Sequence, residues 1–486
     1  MTLSVKALTL SLLLCLVVPS AVYTGVYAFL LAGHERAVQH AALQKVMFFS
    51  LVGAGNTGAL ETGMQMFDRV RRLEVRAAPR FMDFLWQAPE TATPNARVLE
   101  NWAGRFFASC EAAVCQGLSL RGLNLRGISL RGARLAQADL SGSDLQEADL
   151  SEANLSEADL RGANLTGARL VGTRLRYANF LDAQLTQADL ENADLSDAEL
   201  QGVNLGHVNL QWTKLNRTNL TGANLASANL YGADLRGAKL EGIKLPGAVL
   251  VGVDLIGAGL IEADLQGADL EEADLIEARL RGANLTGANL KAANLHKADL
   301  FQATLTQATL AGADLFQANL VGASLADADL SEAELKQTDF SGANLRGVNL
   351  LGANLAGAEL SGAEIDEHTQ LDEKWRLVWD IVNEKGKVTH LVGANLRDAA
   401  LAGVTLEGAD LNGADLSGAI LRYAILTDAD MTGSLLQRAD LHEADLAGAN
   451  LSGADLSEAQ GLTREQLESA KTYQAARLPN YLNGRE

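Results

Sequence analysis

A large apolar residue stands at every fifth position from Leu120 to Ile365, and this period constrains the fold more than any other feature of the 486-residue chain. The residue is Leu throughout, except for Phe180, Phe340 and the closing Ile365. Two positions earlier the residue is usually Ala, and Asp or Asn commonly stands between them, as in SEANL, SEADL and TGARL. Neither a helix, at 3.6 residues per turn, nor a strand, at two, repeats every five residues. The pattern is met if one large and one small side chain point inward once per side of a polygonal tube. Aromatic residues make up 5% of the chain, too few to fill a wide core, so the core must be thin and built from small repeated layers.

In units such as AGADLFQANL the chain resembles the pentapeptide-repeat family, whose centre residue is Leu or Phe within A(D/N)LXX. The resemblance implies an all-β solenoid, a right-handed quadrilateral β-helix in which four pentapeptides form one square coil. Leu and Ala columns then fill the interior and the other three positions face out. Stacked coils sit ~4.8 Å apart, so residues 20 apart lie one above another. Gly, frequent two positions after Leu, suits tight corners. Pro246 directly follows Leu245, where a missing amide costs least.

The period breaks at DEHTQLDEKWRLVWDIVNEKGKVTH and resumes from Leu391 to Leu456, with Met431 as the one substitution. Leu371, Trp375, Val378 and Val382 fall at helical spacing, which predicts an amphipathic helix over Asp372 to Lys385 lying against the tube. After Leu456, GLTREQLESAKTYQAARLP reads as a terminal helix with Thr463 as N-cap, covering the last coil's open edge.

Before the repeats the material differs. Ala7 to Gly33 holds no charged residue and is long enough for the ~20 residues that span a bilayer, so it reads as an N-terminal transmembrane helix. A cleaved signal sequence is the competing reading. Leu14 before Cys15 is too large for a lipoprotein cleavage site. Residues 34–117, which carry Trp86, Trp102 and several Phe, read as a mostly helical linker and cap; Cys110 and Cys115 within them are open to a disulfide or to two thiols. The expected organisation is therefore an anchor (1–33), a linker (34–117), a first repeat run (118–365), an inserted helix (366–390), a second run (391–460) and a capping tail (461–486).

The net charge of −20 is uneven: residues 1–135 carry +6 and the remainder −26. An acidic surface repels nucleic acid and phospholipid and favours a basic partner, so direct nucleic-acid binding is not expected. The seven histidines are scattered, and no phosphate loop, nucleophile elbow or dinucleotide fingerprint is present. No catalytic residue, metal or cofactor is expected.

Function is therefore sought on outward columns. Asp234, Asp254, Asp274, Asn294, Asp314 and Glu334 form an acidic line in which neighbours repel by on the order of 1 kcal/mol, a cost borne by solvation or relieved by a cationic partner. Ile256, Ile276 and Phe316 on one side, with Ile261, Phe301 and Val321 on the adjacent one, make a candidate apolar patch interrupted by His296 and Arg281. The coil QGVNLGHVNLQWTKLNRTNL replaces Ala by Val203, Val208, Thr213 and Thr218, and carries outward His207, Trp212 and Arg217 as a candidate contact site.

The expected function is a non-catalytic, membrane-tethered scaffold for protein–protein interaction, single-pass, with the repeats leaning to the outside of the cytoplasm and self-association open. The family resemblance implies two alternatives. One is an acidic DNA mimic that binds a topoisomerase such as DNA gyrase; the other is an accessory role in envelope or glycolipid organisation or transport.

Overall fold

The computed structural model describes residues 116–384 and 388–483. The anchor and nearly all of the linker read from the sequence, with Cys110 and Cys115, lie outside these residues. Among the described residues no helix is long and apolar enough to cross a membrane. The chain divides into two compact units, Met1–Leu185 and Thr186–Glu486.

Both units are built from the same five-residue element, whose hydrogen bonds can be followed at Leu265–Asp269. The Leu265 amide donates to Asn284 O (2.7 Å), Gly267 to Thr286 O (2.9 Å), and Asp269 back to Ala248 O (2.9 Å), while Ala268 closes a turn onto Leu265 O (3.0 Å). The fifth amide, Gln266, donates to the side chain of Asp264 (3.3 Å). Every donor of this repeat is thus used, four by the main chain and one by Asp264. This accounts for the acidic or amide residue at that place: it closes the turn. Pro246 stands at the fifth-amide position and follows Lys244, which offers no such acceptor, while Leu245 and Gly247 keep their ladder bonds.

Parallel bridges pair residues 20 apart, as in Asp234↔Asp254↔Asp274, so four pentapeptides complete one coil. The Leu and Ala columns are buried, and Phe180 and Phe340 are fully buried in Leu positions. Where Thr replaces Ala, at Thr213 and Thr218, the hydroxyl is fully buried and donates to Leu190 O (2.8 Å) and Leu195 O (2.9 Å). A buried polar atom is thereby satisfied without disturbing the column.

The position two after each Leu is left-handed. Glycine takes it often, but other residues occupy it at φ between +54° and +62°, including Trp212 and Ala292. A Cβ in this region costs roughly 1–2 kcal/mol.

At the break, α1 (Glu373–Asn383) buries Trp375, Val378 and Ile381. The predicted stripe is corrected at its end: Ile381 takes the buried place assigned to Val382, and the helix stops at Asn383 rather than Lys385. The cause lies in polar contacts to the first run. Trp379 Nε1 donates to Ala363 O (2.7 Å), and Asn383 donates to Leu360 O (3.0 Å) while its Oδ1 accepts from Gly362 N (2.6 Å). Side chains of α1 therefore stand in for the missing next coil. The Gly357 amide finds Asp398 O, in the second run (2.7 Å).

The C-terminal segment is also less helical than predicted. Thr463 caps α2 (Arg464–Ser469) in a reciprocal box with Gln466, but the helix ends after six residues. Thr472 and Arg477 then bridge to Asn450 and Asp455, so the chain returns to the ladder before α3 (Asn480–Asn483). TYQAAR is a degenerate repeat: Ala475 occupies the left-handed corner at φ +58°. Gln466 Nε2 closes the end by donating to Leu441 O (2.9 Å) and Ala444 O (2.7 Å).

Two corner substitutions should act in opposite directions. Ala292→Gly relieves a left-handed Cβ at an exposed corner and should stabilise by about 1 kcal/mol. Gly232→Ala adds such a Cβ where it would overlap the Trp212 ring, and should destabilise by about 2 kcal/mol or more. Denaturant midpoints of the two variants check both signs.

Candidate functional site

The acidic line predicted from the sequence is one continuous ladder column, with Lys214 at one end and Asn354 at the other. All its members from Asp234 to Glu334 are half-buried. They are not equivalent. Asp234 is held by Arg236 through Nη2 (2.7 Å) and Nε (2.9 Å), and this hydrogen-bonded pairing lowers its pKa below the usual carboxylate range. Asp254 lies 3.3 Å from Arg236 Nε, yet burial raises its pKa, with the neighbouring Asp234 and Asp274 adding to the effect. Asp254, Asp274 and Asp314 each accept the amide two residues on, from Ile256 (3.2 Å), Ile276 (3.3 Å) and Phe316 (2.9 Å). Glu334 accepts from Asn354 Nδ2 (2.8 Å). Much of the column is therefore engaged in holding turns. Among the described residues no group of three or more His, Cys, Asp or Glu is placed to hold a metal ion.

The apolar residues lie on two adjacent sides, Ile256, Ile276 and Phe316 on one and Ile261, Phe301 and Val321 on the other. Each is half-buried between its neighbours one coil above and below. The interrupting residues join the patch. His296 stacks on Phe316, with ring centroids 5.0 Å apart and planes at 24°. The Arg281 guanidinium sits 4.6 Å over the Phe301 ring and 3.7 Å from Asp299. A positive charge over a ring face is favourable, so Arg281, between Ile261 and Phe301 in its column, is part of the patch.

His207, Trp212 and Arg217 are placed at three successive left-handed corners, at φ +56°, +58° and +58°, and so are spread around the coil. Arg217 is committed to Asp197 by two bonds of 2.7 Å. Trp212 meets Tyr231 edge-on instead, with centroids 5.1 Å apart and planes at 85°. Tyr231 was not singled out in the sequence; the signal was its place 19 residues after Trp212, one coil on.

Neutralising Arg236 should shift the column in a predictable way. Asp234, with its lowered pKa, contributes stability that is present above the unfolded pKa and lost as pH falls through the folded one; Asp254, raised, contributes stability that is lost as pH rises. Arg236→Gln removes the first contribution and worsens the second. The pKa of both carboxylates should rise, and the variant should lose more stability at pH 7 than at pH 3, as read by carboxyl NMR titration and denaturation at the two pH values.

The family model described as pentapeptide repeats matches the chain at 108–146, 143–180, 178–211, 204–242, 235–271, 268–307, 308–347, 333–367, 389–428 and 424–460. No curated protein sequence matches the chain. Among solved structures it is similar to HetL, a pentapeptide repeat protein involved in heterocyst differentiation regulation from the cyanobacterium Nostoc sp. strain PCC 7120. That match has 31% identity, covers 57% of this chain and 98% of that one, and has a TM-score of 0.17. A pentapeptide repeat protein from the Arabidopsis thaliana thylakoid lumen is 26% identical over 26% of this chain and 73% of that one (TM-score 0.20). Rfr23 from the cyanobacterium Cyanothece 51142 is 35% identical over 21% and 64% (TM-score 0.13). The repeat model stops at residue 367 and restarts at 389, on either side of α1, and matches well over half of the sequence: the chain belongs to the pentapeptide repeat family.

Proposed function

We propose that the protein is a non-catalytic scaffold that binds a protein partner on its outward columns, held at a membrane by its N-terminal segment. The observation that carries this reading is the filled interior. Leu and Ala occupy the inward positions coil after coil, so side chains free to vary face outward. The surface we favour is the pair of adjacent sides bearing Ile256, Ile276, Phe316, Ile261, Phe301 and Val321, with Arg281 among them and the acidic column from Asp234 to Glu334 along one border. An apolar strip bordered by carboxylates suits a partner with an apolar ridge flanked by basic residues. Support for the tether is the uncharged stretch from Ala7 to Gly33.

Crosslinking of the full-length protein in cells, followed by fractionation, tests both parts. Wild-type protein should be recovered with membranes and crosslinked to a discrete partner. The Phe301→Ser, Phe316→Ser double variant should stay folded, keep the membrane fraction and lose the crosslink. An unchanged crosslink contradicts the surface, and release of the wild type by a high-salt wash contradicts the tether.

A further inference from the structure

A different side of the second unit carries a ledge that the scaffold reading does not use. Over three successive coils, between Asn209 and Gly252, every outward residue on this side is uncharged, although residues 136–486 together carry −26. The coils before and after are acidic again on the same side, with Asp189 and Glu191 at one end and Asp269 and Glu271 at the other. Asn209, Asn229 and Val249 stack in one bridge column and set the register of the three tiers.

Trp212 dominates the ledge at a double cost. It is 53% exposed, and it holds φ +58°, where a bulky side chain is strained. One face of its six-membered ring lies over Gly232, whose missing Cβ makes the space. Much of the side chain stays exposed with that contact made. Tyr231, 42% exposed, stands nearly perpendicular to it, and Val249, 38% exposed, continues the apolar floor one coil on. An exposed ring beside a second ring set edge-on to it forms an L-shaped step.

Uncharged hydrogen-bonding groups border the step. The side-chain oxygen of Asn229 accepts from Tyr231 N (3.1 Å), while its Nδ2, the side-chain amide of Gln211 and the Tyr231 hydroxyl have no protein partner among the described residues. Rings that can cover the apolar face of a flat molecule, next to neutral donors and acceptors and with no charge, match a ligand that is itself neutral, ring-shaped and rich in hydroxyls. A basic or acidic peptide would find no counter-charge here. We propose that this ledge, built on Trp212, Tyr231, Asn229 and Gln211, binds a neutral saccharide chain, one sugar ring stacking on Trp212.

Calorimetric titration of the full-length protein with cellohexaose, with the hexamer of N-acetylglucosamine and with acidic hexagalacturonate tests this. At least one neutral hexamer should bind and the acidic one should not. Trp212→Ala should weaken binding by at least about tenfold, while Phe316→Ser, on another side, should leave it unchanged. Tyr231→Ser with Gln211→Ala gives the same loss with the Trp212 corner intact, which covers the case of a misfolded Trp212 variant. The proposal is overturned if neither neutral hexamer binds, if hexagalacturonate binds as well, or if binding survives Trp212→Ala. It is equally overturned if Trp212→Ala abolishes crosslinking to a protein partner while sugar binding persists.

Discussion

The ladder that joins each coil to the next is the interaction on which everything else in this protein depends. In a repeat such as Leu265–Asp269 three of the five amides reach a neighbouring coil and one closes a turn; where Asp or Asn precedes the Leu, its side chain takes the fifth. Main-chain hydrogen bonds contribute modestly one by one, but a buried amide left without a partner costs about 1–3 kcal/mol. A five-residue repeat that satisfies every donor can therefore be copied many times without accumulating cost. The Leu and Ala columns follow from the same register, since residues 20 apart are forced into contact.

Interruptions obey this constraint. Where the first run stops, Trp379 and Asn383 supply from α1 the donor and acceptor atoms that another coil would have supplied. At the C-terminus Gln466 does the same with its amide, and the chain then re-enters the ladder through Thr472 and Arg477. The helices of this unit act as replacements for coils, and their polar side chains matter as much as their apolar stripes.

That logic separates what was legible in the sequence from what was not. The β-helix, its two runs and the inward columns were readable because Leu at every fifth position has one geometric solution. The end of α1, at Asn383 and not Lys385, does not follow from local periodicity, because Asn383 is held by the Leu360 carbonyl and the Gly362 amide of the first run. The tail looked helical because AKTYQAAR lacks Leu at the expected spacing, while its left-handed corner at Ala475 leaves no mark in composition. The outer surface was only partly legible. Column membership follows from counting by 20, so the acidic line was found in full. Pairings that cross from one coil to the next, such as Trp212 with Tyr231 or Arg281 over Phe301, depend on rotamers at the corners and on the glycines beside them.

Hydrogen exchange at single-residue resolution tests the central claim most directly. The hydrogen-bond pattern predicts a five-residue rhythm through both runs: the amide immediately after each Leu, which makes no ladder bond, exchanges fast, and the other four are protected. The rhythm should be lost across α1. Uniform protection through the repeats, or fast exchange at the amides assigned to the ladder, would contradict the account.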